Sequence, residues 1–291
     1  MLVLLCYNCV IGSWHGLLAK NTVVSTCQSN RGCRAACTFC NVRTYHGKTV
    51  RHKTIDSVVD ELLCLQNDYG VQHIVWLDDD LFYDVDRTLN LYNEIVKQNL
   101  NITWDASNGI IASAAVAHPE LISAAEESGC IGAYFGIESG NEEVRKDANR
   151  TSDTNSAQIE KVKLLEKTGI KVKAMYIIGM PADTDSSYKK TVEFAKKVKS
   201  SYAQFSVFTP YPGTPIFKEY EKKITAKKYE NFTQWQLVFN HPNFKPIDIL
   251  NLLNYSYQQY YLNPKWMVHF TLNKIKETYE NLYHRIFGFS R

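Results

Sequence analysis

Three cysteines lie close together near the start of the chain, within the segment GCRAACTFCN of residues 32–41. Cys33, Cys37 and Cys40 follow a C-x3-C-x2-C spacing, in a segment too short to contain a helix or strand of its own. Thiolates crowded this closely typically bind a soft metal, because otherwise they repel one another or oxidise. A closed iron–sulfur cluster or a structural zinc site needs four protein ligands, whereas this loop offers three. A four-iron cubane on three cysteines would leave one iron open to another ligand, which favours catalysis over storage.

The alternation of apolar runs along the chain predicts the strands and helices that must position this loop. Six short apolar runs are each separated by a segment of helix length, which predicts βαβ crossovers and a parallel sheet. Both a doubly wound sheet and a barrel are compatible with this repeat. The predicted strands cover residues 23–28, 73–78, 103–107, 131–137, 172–178 and 202–208.

Helices are predicted where apolar residues recur every three or four positions. Thr54 is expected to cap the first long helix and Gly70 to end it. The second is predicted over residues 85–99, with its inward face formed by Leu89, Tyr92 and Val96. Helical periodicity returns near Pro246, after the last predicted strand.

Polar residues follow several of the predicted strands. Asp78, Asp79 and Asp80 follow the second, and three adjacent carboxylates are costly unless they are solvated or bind a cation. Ser107-Asn108-Gly109 follows the third strand, where Asn108 could line a pocket mouth or form a plain turn. The fourth strand ends in GIESG, where a buried Glu138 would need hydrogen-bond donors such as ribose hydroxyls. The alternative for Glu138 is a surface pair with a lysine.

Glycine and proline mark the ends of the last two strands. The fifth ends in Ile178-Gly179-Met180-Pro181, and Gly179 permits either a close backbone approach or an ordinary left-handed turn. The sixth is followed by TPYPGTP at residues 209–215, a stiff loop without regular structure. Within it, Tyr211 is expected either to face a substrate or cofactor or to serve as a packing anchor.

Size and composition limit the classes of protein to consider. The 291 residues fit one large domain with an appendage, and the net charge of +3 is too small to imply a nucleic-acid partner. No apolar run approaches the roughly 20 residues needed to span a bilayer. The eight cysteines do not form a disulfide scaffold, and unpaired thiols beside an oxygen-sensitive cluster suggest a reducing cytoplasm.

The loop CRAACTFC resembles the cluster-binding loop of the radical SAM superfamily, including the aromatic Phe39 before the last cysteine. In that family three cysteines hold a 4Fe-4S cluster, and S-adenosylmethionine (SAM) binds the fourth iron. Reductive cleavage of SAM then yields methionine and a 5′-deoxyadenosyl radical. The resemblance implies an α/β fold with a (βα)6 partial TIM barrel. The alternative is a non-enzymatic metal-binding module, a zinc knuckle completed by His46, His52 or Cys27.

The same resemblance assigns roles to the strand ends. It places the methionine ammonium group of SAM at the aspartate run of residues 78–80, without selecting one aspartate. It gives the ribose to Glu138 and the adenine to Ile178 and Gly179. Phe39, Asn108 and Tyr211 would complete the cofactor-binding residues around the pocket mouth.

Residues 76–82, W-L-D-D-D-L-F, are similar to the F-x-D-D-x-F motif of cobalamin-binding radical SAM enzymes, the class B methylases and anaerobic cyclases. That subgroup carries a cobalamin domain before its barrel, whereas about 20 residues precede the first predicted strand here. We therefore expect a truncated copy, a separate cobalamin-binding protein, or a member that works without cobalamin. The expected divisions are a leader (1–20), the barrel (21–235) and a helical extension (236–291).

The resemblance predicts an enzyme that acts on a small organic molecule and receives electrons from a donor such as flavodoxin or ferredoxin. A tRNA-modifying enzyme, of the methylthiotransferase or elongator type, is the alternative within the superfamily. It would need a basic face or an added RNA-binding domain, and the near-neutral charge without such an appendage argues against this alternative.

Overall fold

The computed structural model describes residues 18, 21–108, 110, 117–149, 154–264, 266–268, 270–272 and 275. Most of the predicted leader, Gly109 and residues 276–291 lie outside this part of the chain. The strands are β1 Val24–Cys27, β2 Asn30–Arg31, β3 Arg51–His52, β4 His73–Trp76, β5 Thr103–Ala106, β6 Cys130–Glu138, β7 Lys171–Ile178 and β8 Tyr202–Val207.

The helices alternate with these strands, and the two short 3-10 turns are Glu221–Lys223 and Tyr229–Asn231. Among the described residues, the α-helices are α1 Val42–His46, α2 Ile55–Tyr69, α3 Val85–Lys97, α4 Glu120–Glu127, α5 Glu142–Asp147, α6 Asn155–Lys167, α7 Asp185–Val198, α8 Pro215–Tyr220 and α9 Pro246–Tyr261. None of the helices described is long and apolar enough to cross a membrane.

The main sheet has six parallel strands in the order β1-β4-β5-β6-β7-β8. The spatial order follows the chain order, so the strands are singly wound and the strand order does not reverse as in a doubly wound sheet. All six predicted strands are confirmed to within two residues at each end. The predicted α/β fold with a TIM-barrel-like core and a helical C-terminal part is therefore confirmed.

Contacts between the two edges of the sheet indicate that it is curved. β1 and β8 form opposite edges, which in a flat sheet would lie about 24 Å apart at ~4.8 Å per strand. The Thr44 hydroxyl nevertheless donates to the Gly213 carbonyl at 2.7 Å, and the Ile216 amide donates to the Thr38 carbonyl at 3.2 Å. The loops after the first and last strands therefore meet.

Helix boundaries follow the capping residues, whereas one predicted helix face is partly wrong. Thr54 accepts a hydrogen bond from the Ser57 amide, and Gly70 adopts a left-handed φ of 63°, as predicted. In α3 the buried residues are Thr88, Leu91, Tyr92 and Ile95, whereas Val96 is exposed. Val96 lies one position past the buried Ile95, and one residue turns an α-helix by about 100°.

Tyrosines on α9 cover the open edge of β8. The Tyr257 hydroxyl accepts from the Phe205 amide at 3.2 Å and donates to the Phe205 carbonyl at 3.0 Å. The Tyr261 hydroxyl does the same for Ala203, at 2.9 and 2.7 Å. Each hydroxyl thus replaces the backbone groups of a neighbouring strand, which prevents the edge from pairing with another chain.

We expect Tyr257→Phe and Tyr261→Phe each to lower the free energy of unfolding by about 1 kcal/mol, because each leaves one amide and one carbonyl of β8 without a partner. The double variant should lose about 2 kcal/mol in urea unfolding. Tyr255→Phe is the matched control, since its side chain lies exposed on the same helix. A double variant as stable as Tyr255→Phe would contradict this role of the hydroxyls.

Candidate functional site

The cysteine loop, taken here as residues 28–41 between β1 and α1, includes the short strand β2. Cys33, Cys37 and Cys40 are half-buried, and none of the three is in a disulfide. The Cys40 amide donates to the Cys37 carbonyl at 3.2 Å, and the Ala35 amide donates to the Cys33 sulfur at 3.4 Å. Burial, against the lowering effect of the hydrogen bond from the Ala35 amide and with smaller contributions from Asp80, Cys37 and Cys40, raises the pKa of the Cys33 thiol to about 11. The three thiols are thus close enough to influence one another electrostatically.

The side chains considered as a fourth zinc ligand are engaged elsewhere. The His46 Nε2 lies 3.7 Å from Asp79, and the His52 ring packs against Tyr83 with centroids 5.8 Å apart. Cys27 is buried on β1, and burial raises the pKa of its thiol far above the usual range. Across the described ranges, no three His, Cys, Asp or Glu side chains are placed to hold a single metal ion. In a cubane each cysteine binds a different iron, so this donor set fits a cluster better than zinc.

Two aspartates after β4 hold the cysteine loop. The buried Asp78 carboxylate accepts hydrogen bonds from the Ser29 amide at 2.7 Å, the Ser29 hydroxyl at 2.5 Å and the Asn30 amide at 3.1 Å. Burial raises its pKa to about 6, although these donors act in the opposite direction. The buried Asp80 accepts two hydrogen bonds from the Arg34 guanidinium, at 2.6 and 3.1 Å. Arg34 lies between the first two cysteines, so this ion pair ties the loop directly to β4.

The middle aspartate, Asp79, contacts the residue that precedes the first cysteine. It accepts a hydrogen bond from the Gly32 amide at 3.1 Å, and its side chain is 13% exposed. Gly32 has a left-handed φ of 105°, and a Cβ there would lie 2.5 Å from the Thr49 carbonyl oxygen. Glycine is therefore needed at this turn. Of the three carboxylates, only Asp79 keeps appreciable exposure, because Asp78 and Asp80 are fully enclosed.

The other side of the cysteine loop is attached to elements that follow β6 and β8. The Thr38 amide donates to the Ala148 carbonyl at 3.1 Å, at the end of α5. The Asn149 side chain donates to the Ala36 carbonyl at 2.8 Å, and the Ile216 amide at the start of α8 donates to the Thr38 carbonyl. The loop thus crosses the carboxyl edge of the sheet and is held by elements that follow the three strands β4, β6 and β8.

Phe39 and Tyr211 have packing contacts. Phe39 is half-buried and packs against the hydrophobic core. The Tyr211 hydroxyl donates to the Phe232 carbonyl at 3.0 Å, and the two rings lie 6.4 Å apart. This geometry matches the packing-anchor alternative for Tyr211.

Glu138 lies in a strained turn at the end of β6. Its φ is +69°, and the Ser139 amide donates to the Ile137 carbonyl at 2.9 Å across it, so Glu138 is the central residue of a γ-turn with positive φ. The pairing with β7 shifts register between Gly136 and Glu138. Such backbone costs of order 1–3 kcal/mol and persists only where the surroundings impose it. A buried carboxylate in a strained turn at a strand end is typical of a functional residue.

The residues that follow β5, the third predicted strand, adjoin the aspartate run. The Asn108 side chain donates to the Leu77 carbonyl at 2.8 Å, and the Ser107 hydroxyl donates to the Trp76 carbonyl at 3.1 Å. Both side chains therefore satisfy carbonyls at the end of β4. Gly109, the last residue of this predicted turn, lies outside the described residues.

The loop after β7, the fifth predicted strand, is held by Asp183, a residue that the sequence did not single out. The amides of Gly179 and Met180 donate to the Asp183 carboxylate at 3.1 and 3.2 Å, and the Ser187 hydroxyl donates to it at 2.5 Å. Burial raises the pKa of Asp183 to about 6. Gly179 has a φ of 74°, and a Cβ there would lie 2.8 Å from the Ile249 side chain of α9. Arg34 was missed as well, because no local pattern links it to a carboxylate 46 positions away.

The predicted site residues lie along one edge of the molecule, because parallel strands end at the same edge of a sheet. The cysteine loop and the aspartate run are in direct contact, and Asn108 adjoins them. Glu138 and Gly179 follow the neighbouring strands β6 and β7. The Ile178 side chain is buried in the core, which leaves only its backbone at this edge.

The family model of the radical SAM superfamily matches residues 28–195. An uncharacterized methyltransferase of Pyrococcus horikoshii is 31% identical over 243 residues, which cover 82% of this chain and 52% of the relative. A bacteriochlorophyllide d C-12(1)-methyltransferase of Chlorobaculum tepidum is 27% identical over 213 residues, covering 72% of this chain and 46% of that protein. The chain thus spans about half the length of these curated relatives.

A solved structure shares the fold. It is the radical S-adenosylmethionine methyltransferase TsrM from Kitasatospora setae, with cobalamin and a [4Fe-4S] cluster bound. The TM-score is 0.59 at 19% identity, over 69% of this chain and 40% of that chain. At this identity the similarity shows only that the two chains share a fold.

We expect Asp80→Asn to loosen the cysteine loop, because a neutral amide accepts only one of the two guanidinium hydrogen bonds and loses the ion pair. Hydrogen–deuterium exchange of residues 30–40, followed by mass spectrometry, should become about tenfold faster. Asp86→Asn is the control, since that exposed carboxylate lies in the first turn of α3. Equal exchange in the two variants would show that the ion pair does not order the loop.

We expect Glu138→Gly to be about 1 kcal/mol more stable than Glu138→Ala, because glycine adopts a positive φ freely whereas alanine keeps the strain. Both variants remove the carboxylate, so the difference between their free energies of unfolding in urea measures the cost of the backbone conformation. Equal stabilities would mean that the turn relaxes at no cost.

Proposed function

The chain belongs to the radical SAM superfamily, and from this premise we propose that Cys33, Cys37 and Cys40 bind a 4Fe-4S cluster on which SAM is cleaved reductively. Family membership implies both cofactors. When bound, they supply a 5′-deoxyadenosyl radical that can abstract hydrogen from an unactivated carbon. The protein is an enzyme of this superfamily, and its substrate is proposed to be a small organic molecule.

The observation that carries this proposal is the attachment of the cysteine loop. Three half-buried cysteines lie on a loop that Asp78 and Asp80 hold to β4 and that Thr38 joins to elements after β6 and β8. A loop held from several sides fixes its thiols before any cluster is present, and preorganised ligands favour binding.

We assign separate roles to the carboxylates at this edge. Asp78 and Asp80 position the cysteine loop, since their oxygens already accept several hydrogen bonds from it. Asp79 is the one proposed to meet the SAM ammonium group, because it remains partly exposed. Glu138 would accept the ribose hydroxyls, and the tight turn at Gly179 would let adenine approach the backbone.

The remaining predicted residues form the border of the proposed cofactor site. Phe39 would support the cluster from the core side, and Asn108 would keep the end of β4 in place. The backbone of Ile178 would lie beside the adenine. Tyr211 would act through packing, since its hydroxyl is bonded to Phe232.

Methyl transfer linked to cobalamin is a finer proposal, supported by the methyltransferases among the relatives. It requires a cobalamin-binding domain or partner protein, and the electron would come from a donor such as flavodoxin or ferredoxin.

We also propose that the barrel covers residues 21–235 and the helical extension residues 236–291. The free thiols of Cys27 and Cys130 suit a reducing cytoplasm.

Anaerobic reconstitution tests the proposed cluster. The wild-type chain should hold about four irons and four acid-labile sulfides, and it should release 5′-deoxyadenosine from SAM under dithionite. Alanine at Cys33, Cys37 or Cys40 should abolish that release, whereas Cys64→Ala on α2 should retain it, because Cys64 lies outside the loop. One zinc per chain without acid-labile sulfide would instead favour a metal-binding module.

A further inference from the structure

The inner face of the sheet is open over its last three strands. Along β7, residues alternate strictly between buried and half-buried. The buried set packs under the helices, where Tyr176 stacks on Phe205 and Phe205 meets Tyr257 of α9. The half-buried set faces the other way and consists of Lys171, Lys173, Met175 and Ile177. Inward side chains fill the interior of a closed barrel, so their partial exposure here marks an accessible concave surface.

The strand register places two rows of residues across this surface. What we call the lysine row consists of Tyr134, Lys173 and Tyr202. The glycine row, one step nearer the carboxyl edge, consists of Gly136, Met175 and Gln204. All six residues are half-buried. Gly136 has no side chain, so at this position the glycine row presents only backbone between the lysine row and the candidate cofactor site.

Lys173 carries a charge that its surroundings only partly compensate. Its ammonium lies 5.0 Å from the centroid of the Tyr134 ring. The carboxylate that acts on it is Asp105, and Asp105 is itself bonded to His73 Nε2 at 2.8 Å. Within the described residues, Lys173 forms no salt bridge. Burial lowers its pKa to about 8, while Asp105 acts in the opposite direction.

We propose that the lysine row binds the anionic end of the substrate, with a carboxylate or phosphate paired to the Lys173 ammonium. The organic body would then lie along the glycine row toward the cysteine loop. Lys173 precedes Ile177 by four residues, or about 13 Å at ~3.3 Å per residue, so a molecule that spans this distance is elongated. The substrate class is therefore an elongated organic anion. Its status as substrate rests on the proposed function, whereas the anion site itself does not require the cluster.

A fluorescent anion tests the site directly. The probe is 11-(dansylamino)undecanoate, titrated into the full chain before and after anaerobic reconstitution, with its uncharged methyl ester as the matched ligand. The wild-type chain should bind the acid about tenfold or more tightly than the ester. Lys173→Met should remove this preference, whereas Lys173→Arg should keep it within about threefold because the charge is preserved.

Lys171→Met is the control variant, since Lys171 lies on the same face of β7 but one step farther from the carboxyl edge. It should change the affinity for the acid by less than about twofold. Decanoate and decyl phosphate, used as competitors, distinguish a carboxylate site from a phosphate site. Lys173→Gln replaces Lys173→Met if thermal unfolding shows that the latter does not fold.

Three results would overturn the proposal: no saturable binding, equal affinity for acid and ester, or equal affinity of the wild-type chain and the neutral Lys173 variants. The outcomes for the two proposals remain separable. A chain that prefers the acid but releases no 5′-deoxyadenosine keeps the anion site and loses the proposed radical chemistry. A chain that releases 5′-deoxyadenosine without any preference for the acid loses the anion site alone.

Discussion

The organisation of the site depends on the mutual hydrogen bonding of the aspartate run and the cysteine loop. Three consecutive carboxylates at the end of a buried strand need donors, because an enclosed charge without partners is strongly unfavourable. The loop supplies these donors, from Ser29 and Asn30 to Asp78 and from Arg34 to Asp80. Neither segment could be buried in this way without the other. The thiols are thus positioned by the pairing of two segments that lie about 46 residues apart in the chain.

The same loop helps to close the open side of the sheet. Through Thr38, Asn149 and Ile216, it joins the segment after β1 to the elements that follow β6 and β8. Along β8, the tyrosines of α9 satisfy the edge that no further described strand covers. A sheet held at its carboxyl edge and covered by helices on its outer face can leave its inner face open, as the half-buried residues of β7 indicate.

The sequence predicted the parts of the fold that depend on local patterns. Six apolar runs separated by helix-length segments were sufficient for the strands, since burial on both faces makes such runs continuous. Val96 was placed wrongly because Ile95 and Val96 are both apolar, whereas adjacent positions of a helix point about 100° apart. Helices of five or six residues, such as α1, α5 and α8, are too short to show a period. The Arg34–Asp80 ion pair and the γ-turn at Glu138 could not be foreseen, because long-range contacts and backbone strain leave no local pattern.

Strain and anchoring are unevenly distributed among the strand ends. The ends of β4 and β7 are stabilised by buried carboxylates, Asp78 and Asp183, which bind backbone amides of the adjoining loops. The end of β6 is different, because Glu138 is held in an unfavourable conformation. A turn of this kind persists only if the neighbouring segments prevent it from relaxing. The end of β6 thus holds one carboxylate at this edge in a conformation that its own backbone disfavours, beside the end of β7, which Asp183 anchors.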